Sequence, residues 1–216
     1  MTLFQGEDLM CVRGERTVFR GLGFQLDAGG ALVLIGPNGS GKSSLLRLMA
    51  GLLRPAEGRM TWDGEDALDE FDEHGARLHY VGHHDAVKPV LSVAENIAFW
   101  AGVRGRGEDG VRDGLATFDI AHLYDVPGRF LSAGQKRRVN LARIIAAPAP
   151  LWLLDEPTTA LDKATIKRLE NAIADHRSGG GMVVLSTHAD IDMPGANVLN
   201  LADFACRAPL DEHVMV

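Results

Sequence analysis

Gly36-Pro37-Asn38-Gly39-Ser40-Gly41-Lys42-Ser43 is the stretch on which the reading of this 216-residue chain turns. It satisfies G-x-x-x-x-G-K-[ST] at every fixed position. The context agrees. Just upstream, Ala31-Leu32-Val33-Leu34-Ile35 is an unbroken apolar run, as expected of a strand buried on both faces of a parallel sheet. Downstream, Leu45, Leu48, Met49 and Leu52 share one face of a helix that Pro55 is expected to stop. Glycines at such a turn let backbone N–H groups converge on a phosphate, and the helix N-terminus adds its positive end. Lys42 is expected to reach the β- and γ-phosphates and the Ser43 hydroxyl to ligate Mg²⁺, and Ser44 is counted with the loop as nucleotide-binding. The motif implies nucleoside triphosphate binding and leaves open which kind of ATPase or GTPase carries it.

Working outward, Leu151-Trp152-Leu153-Leu154 reads as a second buried strand, and it ends in two adjacent carboxylates, Asp155 and Glu156. A helix over 163–177 and a further apolar strand over 182–185 complete a strand-helix-strand alternation, which implies a parallel, right-handed arrangement. Ligands gather at the carboxyl ends of parallel strands, so the acid pair is expected beside the Gly-rich loop. Asp155 is placed to hold Mg²⁺ through water, and Glu156 to orient and deprotonate an attacking water. Elsewhere, 17–19 and 24–26 read as short strands parted by Gly21 and Gly23. Residues 62–75 read as a polar connector whose acids form a solvated face, and 78–81 as a strand. From 85 to 148 the pattern is mainly helical, with a loop expected in the Gly-rich, charged cluster over 102–114.

Leu131-Ser132-Ala133-Gly134-Gln135 has Ser132 and Gln135 spaced as a capping box that opens a helix. The same residues resemble the signature sequence of ABC ATPases. Asp162 in Ala160-Leu161-Asp162 resembles that family's D-loop, and His188 in Ser186-Thr187-His188 its switch histidine. The resemblance spans nearly the whole chain. It implies an α/β fold: a P-loop NTPase core with a mainly parallel sheet, an N-terminal antiparallel β subdomain, and a helical subdomain over about 85–147 inserted in a single domain. It also implies a homodimer in which Ser132, Gly134 and Gln135 of one protomer complete the ATP site of the other. Separate integral membrane subunits would be driven by the cycle, docking on the helical stretch.

Two departures stand out. Where the family carries a Q-loop glutamine this chain has Gly82-His83-His84-Asp85, so His83 or His84 either takes the glutamine's place near Mg²⁺ or shapes only the coupling loop. Where the family stacks an aromatic ring on adenine, this chain has Cys11-Val12-Arg13-Gly14-Glu15-Arg16, and the Arg13 guanidinium is the candidate to stack. The choice between ATP and GTP stays open on these residues. His74 and His79 invite a metal reading as well, without a ligand spacing to support it.

The 11–16 stretch with Phe19, Gly58-Arg59-Met60-Thr61-Trp62, Gly82-His83 with Lys88, and the run from Leu131 to Arg138 resemble the bacterial ATPase subunit of cytochrome c maturation, of the haem-exporter type. That resemblance implies haem delivery, or release from a haem chaperone, at the cytoplasmic face of the inner membrane. The alternatives are another small ABC transporter, a soluble ABC ATPase, and a P-loop kinase or switch GTPase, which would lack the signature. A net charge of −7 leans away from nucleic acid. Cys11 and Cys206 read as free thiols of a reducing compartment. No leader pattern or membrane-spanning run is evident, so partners are expected to supply the membrane part.

Overall fold

The computed structural model describes residues 2–187 and 191–206. In chain order come β1 (Leu3–Arg13), β2 (Arg16–Asp27), β3 (Ala31–Ile35), α1 (Lys42–Met49), β4 (Glu57–Trp62), β5 (Glu65–Asp66), α2 (Phe71–Ala76) and β6 (Leu78–Val81). They are followed by α3 (Val93–Val103), α4 (Glu108–Thr117), α5 (Ala133–Ala146), β7 (Leu151–Asp155), α6 (Lys163–Ser178), β8 (Met182–Ser186) and β9 (Asn197–Asn200). The strands form two sheets. One is antiparallel, in the order β2-β1-β4-β5; the other is parallel at every pairing, in the order β6-β7-β8-β3-β9.

Period-two alternation along the apolar strands divides the core. Leu151 and Leu153 of β7, with Met182 and Val184 of β8, pack toward α1 and the antiparallel sheet, against Leu45, Leu48, Phe4 and Phe19. Trp152, Leu154, Val183 and Leu185 point the opposite way, onto Ile97 of α3, Leu141 and Ile144 of α5, and Leu169 and Ile173 of α6. Each such side chain contributes roughly 1.5–3 kcal/mol by leaving water. Strands that bury both faces have no polar alternation to show, which is why they read as continuous apolar runs.

The structure corrects four expectations. Residues 16–27 form one strand rather than two. Pairing moves from Cys11↔Phe19 to Leu9↔Leu22, so β2 spends one residue more than β1, and Gly21 absorbs it as a bulge at φ 68°. Helix α1 ends before Pro55, at Met49. Gly51 adopts φ 72°, its N–H donates to the Leu48 carbonyl, and the Leu52 N–H donates to the Arg47 carbonyl, a Schellman closure that leaves Leu52 exposed. The connector over 62–75 contains β5 and α2, although its acids are exposed as expected. Finally, most of 102–114 is helical. Gly110 and Gly114 lie in α4 because it crosses α5 so closely that a Cβ at either would sit 2.5 Å from the Ala146 or Ala142 carbonyl oxygen. There glycine marks close approach of backbones rather than a loop.

The capping box at Ser132 is formed: its Oγ accepts from the Gln135 N–H at 3.2 Å, and Gln135 Oε1 accepts from the Ser132 N–H at 2.8 Å. Among the described residues, no helix is long and apolar enough to cross a membrane.

Candidate functional site

The Gly-rich loop leaves β3 and enters α1 through three left-handed glycines, Gly36 (φ 139°), Gly39 (φ 80°) and Gly41 (φ 103°). Gly36 and Gly41 also need their missing side chains. A Cβ at Gly36 would lie 2.8 Å from Ser40 Oγ, and one at Gly41 would lie 2.7 Å from Val18 Cγ1. Lys42 is almost buried. Its Nζ donates to the carbonyls of Gly36 (2.7 Å) and Pro37 (3.2 Å), which holds the ammonium over the concave side of its own loop. Ser40 Oγ is buried and has no hydrogen-bond partner among the described residues.

The loop forms one wall of a cleft of about 350 Å³ shared by Asn38, Gly39, Gly41, Lys42, Ser43, Ser44 and Arg47, by Arg13, Arg16 and Val18 of the first hairpin, and by Glu156. Four of these side chains are cationic and one is a carboxylate, so a chain of net charge −7 concentrates positive charge here. Such a field favours a polyanion. Arg13, the candidate to stack on the base, lines the same cleft as the loop. Arg16 and Arg47 line the cleft without having been singled out. Arg16 is the partner of Arg13 across a two-residue turn, and Arg47 lies one helical turn beyond Ser43 and Ser44.

Asp155 and Glu156 reach the same region because β8 pairs with both β3 and β7, bringing Leu34, Ser186 and Asp155 into one register. Ser186 Oγ donates to Asp155 Oδ1 at 2.7 Å and accepts from the Glu156 N–H at 3.0 Å. Asp155 is buried, and its Oδ2 has no hydrogen-bond partner among the described residues. A buried carboxylate oxygen in that state fits a metal-bound water, and Ser43 on the facing loop supplies a hydroxyl. The backbone of Glu156 is left-handed at φ 47°, uncommon for a side chain of its size and characteristic of functional turns. The turn swings the carboxylate out of the sheet and into the cleft.

Ser132, Gly134 and Gln135 begin α5 at the surface, and none of them lines this cleft. The first turns of α5 instead adjoin Ala160 and Asp162. A Cβ at Gly134 would meet the Ala160 carbonyl oxygen at 2.8 Å, and Arg138 pairs with Asp162 at 2.8 Å. Asp162 caps α6 through the Thr165 N–H, and the bonds from Thr165, with Arg138 nearby, hold its carboxyl below the usual range. His188 lies outside the described residues.

His83 and His84 are exposed, packed edge to face at 5.4 Å, and neither lines the cleft. The residue of that loop that turns inward is Asp85, which accepts from Arg137 and from Asn140 at 3.2 Å each. His74 and His79 are core residues whose ring nitrogens bond the Met49 and Ala147 carbonyls. Among the described residues, no cluster of three or more His, Cys, Asp or Glu side chains is grouped to hold a metal.

The pattern of the ABC transporter family matches residues 19–159. The chain is 65% identical over 94% of its length to the cytochrome c biogenesis ATP-binding export protein CcmA of Rhodospirillum rubrum, covering 87% of that protein. It is 64% identical over 96% of its length to the protein of the same name from Paramagnetospirillum magneticum, covering 97% of it. A solved ATP-binding subunit of an ABC transporter superposes with a TM-score of 0.79 at 25% identity, over 86% of this chain and 79% of that one. With its phosphate-type loop and acid pair converging on one cleft, the chain belongs to the ABC transporter family, among its cytochrome c biogenesis ATP-binding export proteins.

Proposed function

We propose that this chain is the ATP-hydrolysing subunit of a cytochrome c biogenesis export complex, working as a homodimer beneath integral membrane subunits on the cytoplasmic face of the inner membrane. The observation that carries the chemistry is the presence of Glu156, Lys42 and Ser43 on one cleft, with Asp155 buried behind them. The backbone amides of the loop over 36–44, to which Pro37 contributes no N–H, and Lys42 hold the triphosphate, and Arg13 stacks on the base. Ser43 and, through water, Asp155 would hold Mg²⁺, which when bound neutralises charge on the β- and γ-phosphates. Glu156 orients a water in line with the γ-phosphorus and takes its proton as the new P–O bond forms and the bond to the ADP oxygen breaks.

Ser132, Gly134 and Gln135 lie away from their own cleft, on a helix N-terminus that faces solvent. That position supports donation to the γ-phosphate of a partner's site, where the helix dipole favours negative charge. Contact of Gly134 with Ala160 and of Arg138 with Asp162 makes the signature and the Asp162 segment move as a unit. A second, apolar cleft of about 650 Å³ between Asp85 and Trp100, with Phe99 exposed beside it, is the docking surface for the membrane subunit. Nucleotide-driven closing and opening of the dimer then powers haem delivery, or release of haem from its chaperone.

Glu156→Gln in the complex co-purified with its membrane subunits tests this reading. ATP turnover should fall at least about 100-fold while ATP still stabilises the dimer. Near-normal turnover would mean that another group activates the water.

A further inference from the structure

Arg137 is the most fully engaged side chain among the described residues outside the cleft, and nothing in the hydrolytic scheme above uses it. It lies on α5 between Lys136 and Arg138 and is 2% exposed. Its Nε donates to the Pro157 carbonyl at 3.2 Å, and Nη2 donates to the carbonyls of Asp155 (2.8 Å) and Glu156 (2.6 Å). Nη1 donates to the Gly82 carbonyl at 2.9 Å and to Asp85 Oδ1 at 3.2 Å. All five N–H groups of the guanidinium therefore have an acceptor.

Three consecutive carbonyls, 155 to 157, turn toward one guanidinium at the point where β7 stops and the chain must reverse. The residue in the middle of that turn is Glu156, at φ 47°. A left-handed, non-glycine residue persists only where its surroundings over-determine it. Two sets of bonds do so here. On one side Ser186 bonds the Glu156 N–H through both its carbonyl oxygen (3.1 Å) and its Oγ; on the other Arg137 bonds the carbonyl oxygen.

We propose that Arg137 is a positioning residue for hydrolysis: its planar fork holds the backbone of 155–157 so that the Glu156 carboxylate points into the nucleotide cleft, with Asp85 as its counter-charge. The guanidinium is buried with its donors engaged by protein acceptors, and it acts through Glu156. Lysine cannot replace it, because a single ammonium with three donors cannot span Pro157, Asp155, Glu156, Gly82 and Asp85. The inference rests on Glu156 as the water-activating group.

The test is a double-mutant cycle on the complex co-purified with its membrane subunits, comparing wild type, R137K, E156Q and R137K/E156Q for ATP turnover, KM and thermal stability. R137K should lower kcat about 10- to 100-fold, as expected of an ångström-scale misplacement, with KM for ATP within about twofold. In the E156Q background R137K should change the residual single-turnover rate by less than about twofold, because the residue acts through a carboxylate already gone. A kcat for R137K close to wild type, with E156Q inactive, overturns the positioning role alone. So does a residual rate that R137K lowers equally in both backgrounds. Near-normal turnover in E156Q removes the general-base reading and this inference with it. R137Q, whose amide still donates to two carbonyls, replaces R137K if the lysine variant does not fold; loss of the fold in both makes Arg137 a purely structural residue and refutes the proposal.

Discussion

Acidification should unfold this protein through buried neutral histidines, and His79 sets the largest share. His79 sits on β6 at 4% exposure, with its Nε2 donating to the Ala147 carbonyl. Burial pushes its pKa down from 6.5 to about 4, opposed by the Ala147 bond and assisted by the nearby cations Arg104 and Arg143. Because the folded value lies below the unfolded one, the unfolded chain binds more protons between them. Stability is therefore full above the unfolded pKa and is lost as pH falls from about 6.5 toward 4. Integrating between those two values, lowering the pH from 7 to 5 costs about 2 kcal/mol from His79 alone. His74 and His176, also pushed down chiefly by burial, add in the same direction. Urea unfolding of wild type and His79→Gln at pH 7, 6 and 5 reads this out. Glutamine keeps a donor for Ala147 without titrating, so the variant starts less stable at pH 7 and its stability falls less steeply. Parallel curves for the two proteins would refute the claim that His79 is held neutral in the fold.

Two helical glycines, one at a helix crossing and one in open space, give a pair of predictions of opposite sign. Gly114→Ala should destabilise by about 1–3 kcal/mol, because the new methyl meets the Ala142 carbonyl. Gly102→Ala in α3, where nothing lies within 4 Å of the added carbon, should instead stabilise by up to about 1 kcal/mol; urea midpoints of the two variants decide both. Arg13→Ala should weaken ATP binding several-fold and narrow any difference between ATP and GTP. Competing nucleotide titrations on wild type and variant check it, and unchanged affinities remove the stacking role.

The chemistry of the cleft was legible because its groups are encoded in contiguous stretches. A Gly-rich turn followed by Lys42-Ser43, an apolar run ending in Asp155-Glu156, and Ser132 three residues before Gln135 each state their local geometry directly. Their backbone requirements are met within a few residues: φ above zero at Gly36 and Gly41, and a cap for α5. Where local signals misled, long-range packing was the cause. Gly110 and Gly114 resemble loop residues until α5 is seen against them. The Gly82–Asp85 stretch draws the eye to its histidines, yet the fold leaves both exposed and turns the half-buried Asp85 onto Arg137.

By itself the sequence determined the strand-loop-helix that cradles a phosphate, the acid pair at a strand end, and the resemblance that joins them, since each depends on neighbours in the chain. Only the tertiary structure decided that β8 stands between β3 and β7, so that Ser186 bonds the acid pair. It alone separated the three consecutive cations of α5, sending Arg137 into the core and Arg138 to Asp162 while Lys136 stays part-exposed. Adjacent residues on a helix point about 100° apart, and which direction is interior depends on what the rest of the chain packs against that helix.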